Sequence, residues 1–144
     1  MKITKIIVIG ICSLLFLTII IINKLFYANV INLNVVIVII TSFFLIVSFI
    51  QNKNKLITSF ILAVISLLFV MFLSFPKYNY SQASELVSNN YPGNLLDVPD
   101  KNFAIYYKGF NVFEPSRHYR VVLEVNGEEY VYVVSPNTGK ITQQ

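Results

Sequence analysis

The sequence predicts an all-α membrane region of three transmembrane helices over residues 1–77, followed by a small α+β domain over residues 78–144. Three observations predict it. All seven acidic residues lie after Tyr78. Ahead of Lys77 stand three apolar runs, Ile6 to Ile22, Ile31 to Ile50 and Leu56 to Phe75, none containing Asp, Glu, Lys, Arg or His. From Tyr78 onward the composition turns abruptly polar and aromatic. A run of about 20 apolar residues at ~1.5 Å rise per residue spans the ~30 Å hydrocarbon layer.

The runs are rich in β-branched Ile and Val, which in water would favour strands. In lipid the backbone must satisfy its own hydrogen bonds, so length decides for helix. The loop Gln51 to Lys55 between the second and third runs is short enough to force an antiparallel helical hairpin. Gly10, Ser13, Thr18, Thr41, Ser42, Ser48, Ser59 and Ser66 either line helix contacts or bond their own helix backbone. Asn32 and Asn34 are the amides near the outer end of the second run. The runs lack the ionisable residues that mark ion paths and substrate sites, so a transporter or channel acting alone is not expected. Anchoring, or packing against a partner membrane protein, fits better.

The net charge of +4 divides unevenly. Lys2, Lys5, Lys24, Lys53, Lys55 and Lys77 make the membrane half basic, while the tail is slightly acidic. A basic balance made of lysines at span ends argues against nucleic acid as a partner. Lys2, Lys5, Lys53 and Lys55 fall on one side and Lys24 and Lys77 on the other. The positive-inside rule then places the N-terminus in the cytoplasm and the tail outside the cell membrane. Lys2 and Lys5 also resemble the start of a signal peptide, but Ile22, Asn23, Lys24 and Leu25 offer no small-residue cleavage site, so the first run is expected to stay. Cys12 follows Ile11, which favours a buried membrane thiol over a lipidated one. With no cysteine in the tail, that domain has no disulfide.

In the tail, Ser81 is expected to cap a short helix running to Asn90, with Glu85 in its first turn and Ala83, Leu86 and Val87 on its apolar stripe. Pro92-Gly93 stops it, and Val98-Pro99-Asp100 makes a second break. Phe103, Ile105 and Tyr107 alternate as a strand that continues past a bulge at Gly109 to Phe113. Glu114-Pro115-Ser116 turns the chain. Tyr119 to Val125 and Glu128 to Val134 flank Asn126-Gly127, a strong hairpin signal. In that register Leu123 faces Tyr130, Val121 faces Tyr132 and Tyr119 faces Val134, which makes one face for the helix to cover. The other face opposes Glu124 to Glu129. The expected fold is one short helix on an antiparallel sheet of three or four strands.

The segment Tyr119 to Ile141, with its hairpin and its Thr138-Gly139-Lys140 turn, resembles the C-terminal half of a PepSY domain. There a short helix precedes an antiparallel hairpin, and the last strand ends in an Asp-x-x-Thr-Gly-Lys-like turn. The helix Ser81 to Asn90 matches in position, while Ser135 stands where the family usually carries Asp. The likeness covers about the last half of the chain. It implies an extracytoplasmic module that modulates a surface or secreted peptidase.

No catalytic, cofactor or metal site is expected. The sequence has one His, one Cys and no cluster with metal-ligand spacing. His118 reads as a solvated or stacking residue at a strand entrance, and Asp97 and Asp100 as a turn pair. Glu128 and Glu129 point to opposite faces. The chain therefore reads as a binding or regulatory module rather than an enzyme, with the lipid bilayer and a surface or membrane protein as partners. Tyr106, Arg120, Thr138, Gly139 and Lys140 are the candidate contacts, tyrosine being favoured at interfaces. The alternative is a small accessory or immunity-type protein whose helices pack against a transporter or other membrane complex.

Overall fold

Length separates the helices. A computed structural model describes residues 2–104, 113–115 and 117–144. In it, α1 (Lys2–Tyr27) and α3 (Lys53–Ser74) are long and apolar enough to cross a membrane, and α2 (Asn34–Phe49) is shorter at 16 residues. Two helices of spanning length therefore stand where three were expected. The reason lies at the start of the second apolar run. Asn23 is buried, and its side-chain amide pairs with the backbone of Ile31 in both directions. Its Nδ2 donates to Ile31 O at 3.3 Å, and its Oδ1 accepts from Ile31 N–H at 3.1 Å. Ile31 is thereby held outside the helix, and α2 begins only at Asn34.

The described residues form two compact units, Met1–Ile21 with Leu33–Ser74, and Ile22–Asn32 with Phe75–Gln144. In the first, α2 and α3 make the expected antiparallel hairpin, joined through Ile50–Asn52. Asn52 Oδ1 accepts from the backbone N–H of Asn54 at 2.9 Å, satisfying one of the donors that open α3. Val8, Cys12, Phe43, Val47 and Leu56 form its core. Thr18, Thr41 and Ser48 bond carbonyls of their own helices, so for them the second expectation for the hydroxyls holds. Ser42, Ser59 and Ser66 instead line a groove along α2 and α3.

The second unit carries α4 (Tyr80–Asn90), β1 (Asn94–Leu96), β2 (Asn102–Ala104), β3 (Arg117–Val125), β4 (Glu128–Val134) and β5 (Ile141–Gln143). The sheet is antiparallel and four strands wide. β1 and β2 both lie along the same edge of β3, followed by β4 and β5. Three or four strands were expected. The count rises to five because two three-residue strands share one edge. Asn126 and Gly127, with φ of 55° and 83°, turn the hairpin as the twist of the strands requires. Leu123, Val121 and Tyr119 face Tyr130, Tyr132 and Val134, and Glu124 faces Glu129, in the expected register.

Asn79, not Ser81, caps α4. Its side chain accepts from Gln82 N–H while the Gln82 side chain accepts from Asn79 N–H, each at 2.9 Å. This reciprocal box satisfies two donors at once and starts the helix one residue earlier. Of the expected strand Phe103 to Phe113, β2 covers the start. Ile105, Tyr106, Tyr107 and the bulge at Gly109 lie outside the described residues, as does Ser116.

Ala83 and Val87 of α4 pack on Tyr119, Val121, Leu123 and Val134 in the core, and Ala28 and Val30 join them. The segment after α1 is thus part of the α+β core. Val30 is fully buried. Two residues in the left-handed region, Ala28 and Asn29, turn the chain to place it there, with Asn29 N–H bonding Asn23 O and Val30 N–H bonding Tyr27 O. Burying a Val side chain contributes about 1.5–3 kcal/mol. Val30→Ala in the full chain is expected to cost about 1–3 kcal/mol and to lower hydrogen-exchange protection across β3 and β4, more than 80 residues away in sequence. Unchanged protection there would contradict this packing.

Candidate functional site

The Thr138-Gly139-Lys140 turn is built from Ser135 onward. Ser135 N–H donates to Lys140 O and Gly139 N–H to Ser135 O, each at 2.9 Å. Ser135 Oγ accepts from Thr138 N–H at 3.4 Å, the hydroxyl-to-backbone bond that a serine can supply in place of an aspartate. Gly139 has φ of 69°, and a Cβ there would lie 3.1 Å from the Tyr78 ring and 3.3 Å from Leu86 Cδ1. Glycine is needed for both the backbone angle and the close approach. Tyr78 N–H donates to Pro136 O at 3.0 Å, tying the turn to the chain that enters α4.

Beside this turn, Tyr78, Gln82, Glu85, Leu86 and Asn89 line a cleft of about 270 Å³. Helical spacing puts Gln82, Glu85, Leu86 and Asn89 on one face of α4, opposite the buried Ala83 and Val87. The Lys77 ammonium sits 5.3 Å from the Tyr78 ring centre. The result is an aromatic and aliphatic floor with an amide and carboxylate rim, approached by the turn at Gly139. Such a surface is suited to holding a side chain or a short segment of another protein.

The candidate contacts divide accordingly. Thr138 and Lys140 are exposed on the turn and outside the cleft lining, while Gly139 shapes the turn, is half-buried and approaches Tyr78 and Leu86 of the cleft. Arg120 alternates onto the opposite face of β3 from Tyr119 and Val121, so it does not join them on the helix-covered face. Tyr106 lies outside the described residues. Tyr119 and Tyr132 belong to the core instead of a contact surface. The Tyr119 hydroxyl donates to Tyr78 O at 2.8 Å, and burial pushes its pKa above the usual range. Tyr130 is half-buried, and its hydroxyl donates to Glu128 at 2.9 Å. Sequence reasoning missed Tyr78, Gln82, Leu86 and Asn89 as surface residues. Gln82, Glu85, Leu86 and Asn89 follow an (i, i+3, i+4, i+7) spacing, but on an exposed polar face that spacing does not reveal what borders it.

Asp97 pairs with Lys101 at 2.7 Å, so its carboxylate is engaged outside the Asp97–Asp100 turn. Among the described residues no group of three His, Cys, Asp or Glu side chains is arranged to hold a metal ion. Compared with family models, curated proteins and solved structures, the chain matches none.

His118, on β3 opposite Phe103, is half-buried, and desolvation holds its pKa below the ordinary 6.5. As pH falls, the unfolded chain takes up this proton before the folded one does. The stabilisation is complete above pH 6.5 and is lost as pH drops toward the folded value. Melting temperature is expected to fall between about pH 7 and about pH 5.5, with His118→Gln showing a shallower fall. Equal slopes for the two proteins would show that His118 does not titrate in this way.

Proposed function

We propose that this protein is a membrane-held extracytoplasmic binding module, multi-pass, with its N-terminus in the cytoplasm. The observation that carries it is the inclusion of Ile22–Asn32 in the same compact unit as Phe75–Gln144. Two segments folded together lie on one side of a bilayer, so the chain from Leu33 to Ser74 leaves that side and returns to it. If α3 crosses, α2 crosses too, which supports three spans. At 16 residues α2 is about 24 Å long, within what local thinning of the bilayer accommodates. Lys2, Lys5, Lys53 and Lys55 then fall on the cytoplasmic side. The α+β unit is anchored through α1 and through α3, and a short-range membrane tether raises its local concentration for any surface partner.

The partner site in this reading is the cleft of α4 beside Thr138 and Lys140, and the PepSY resemblance makes a surface or secreted peptidase the leading partner class. The groove of about 310 Å³ along α2 and α3, with Ser42, Ser59, Ala63 and Ser66 in its lining, favours the accessory or immunity-type alternative. Small residues there would admit a helix of another membrane protein.

Topology is tested by labelling Asn54→Cys and Thr138→Cys in a Cys12→Ser background with an impermeant maleimide on intact cells. Residue 138 is expected to label and residue 54 to remain unlabelled. The reverse pattern overturns the orientation. Binding is tested by placing a photo-crosslinking residue at Gln82 or Lys140 of the full chain in native membranes. One protein adduct is expected, weakened about fivefold or more by Leu86→Ala at unchanged melting temperature. Adducts formed only from α2 or α3 positions would favour the accessory reading.

A further inference from the structure

A second cleft in the α+β unit, of about 320 Å³, is lined by Lys24, Leu25, Asn29, Tyr80, Lys101 and Asn102 among others. Its lining holds two ammonium groups, two amides and a phenol, and no carboxylate. The Lys101 ammonium is positioned from two directions, 2.7 Å from Asp97 and 5.2 Å from the centre of the Tyr80 ring. Asp97 itself is largely exposed and stands outside the lining. Lys24 forms no ion pair with any described carboxylate. Asn102 is fixed in place: its Nδ2 donates to Ala28 O at 2.6 Å, and its Oδ1 accepts from Arg117 Nη1 at 2.5 Å. The donor of that second bond, Arg117, is exposed and stands outside the lining.

Asp97 compensates Lys101 from outside the lining, whereas Lys24 has no described counter-ion, so an anion entering the cleft would meet one uncompensated ammonium with a second beside Asp97. The donors present are those that suit a tetrahedral oxyanion, which accepts several N–H bonds at once from ammonium and amide groups. Lys24 and Leu25 occupy the last turn of the apolar helix α1, and Leu25 is 69% exposed. A cationic residue next to an exposed leucine at a span end is placed to meet a headgroup and the top of an acyl chain. We infer that this cleft binds the phosphate of an anionic phospholipid headgroup at the outer end of α1, a reading that rests on the membrane assignment above. Free phosphate offers the same chemistry, and the test separates the two sources.

Full-length protein is purified in mild detergent doped with phosphatidylglycerol or with phosphatidylcholine, and lipid retention is read by native mass spectrometry. Phosphatidylglycerol is expected to be retained in preference, with Lys24→Gln and Lys101→Gln each weakening retention about fivefold. Lys24→Arg and Lys101→Arg, which keep the charge, are expected to retain it. Inorganic phosphate is tested separately by phosphorus NMR line broadening. Lysine-dependent broadening without any lipid preference assigns the same site to free phosphate. Equal binding of both ligands by wild type and the Gln variants overturns the site. Alkaline carbonate washing of membranes tests the anchor independently: release of the wild-type chain overturns the membrane reading, while the phosphate measurement still decides the chemistry of the cleft.

Discussion

The α+β unit depends on one buried amide. Asn23, 4% exposed, stands near the end of an apolar helix where an unpaired amide would cost about 1–3 kcal/mol or more. Both its donor and its acceptor are satisfied by one residue, Ile31. The intervening chain is closed into a short loop whose left-handed residues, Ala28 and Asn29, are held in a conformation that isolated L-residues disfavour. The loop delivers Val30 and the Ala28 methyl to the sheet. The same contact withdraws Ile31 from α2, so the short second helix and the completed core have one cause.

The sheet face that receives this loop is defined by strand alternation. Tyr119, Val121 and Leu123 of β3 point toward α4 and the loop, with Tyr132 and Val134 beside them. Tyrosine at this face brings large apolar area and a polar tip that needs a partner. Tyr119 finds one in Tyr78 O, and its ring meets Tyr80 edge-on at 5.9 Å. Tyr132 lies 4.5 Å from Tyr91, which ends α4. These contacts connect β3 and β4 to both ends of the helix, and they set the outward face of α4 beside the 135–140 turn.

What was legible in the sequence had a periodic or a turn-specific signal. Asn126-Gly127 between alternating runs fixed the hairpin register, and Gly139 marked a left-handed turn. Length and charge marked α1 and α3. The three-residue strands β1 and β5 carry too few residues for alternation to register. Val30 and Ile31 read as membrane because hydropathy does not distinguish a lipid-facing Val from one buried in a domain core. Only the pairing of Asn23 with Ile31, a contact across eight residues, separates the two. The cap at Asn79 was legible as Asn-x-x-Gln, but Ser81 stood closer to the apolar stripe. The cleft residues of α4 were hidden for another reason: an exposed polar helix face has no sequence signature until a second element is seen to border it.

Charge is also polarised along the hairpin. Lys24, Lys101 and Arg117 gather where β2 meets the start of β3, whereas Glu124, Glu128 and Glu129 gather around the Asn126-Gly127 tip. The nine residues of β3 separate these ends by about 26 Å at ~3.3 Å per residue. That is more than two Debye lengths at physiological salt, about 8 Å each, so the acidic tip hardly weakens the field at the basic cleft. An anionic bilayer surface attracts the end of the unit that contains the last turn of α1 and repels the tip. The opposed Glu124 and Glu129 are tolerable because that tip stays in water. The proposed headgroup site and the hairpin polarity would favour the same orientation of this unit at a bilayer, with the lysines toward the lipid and the carboxylates of the tip away from it.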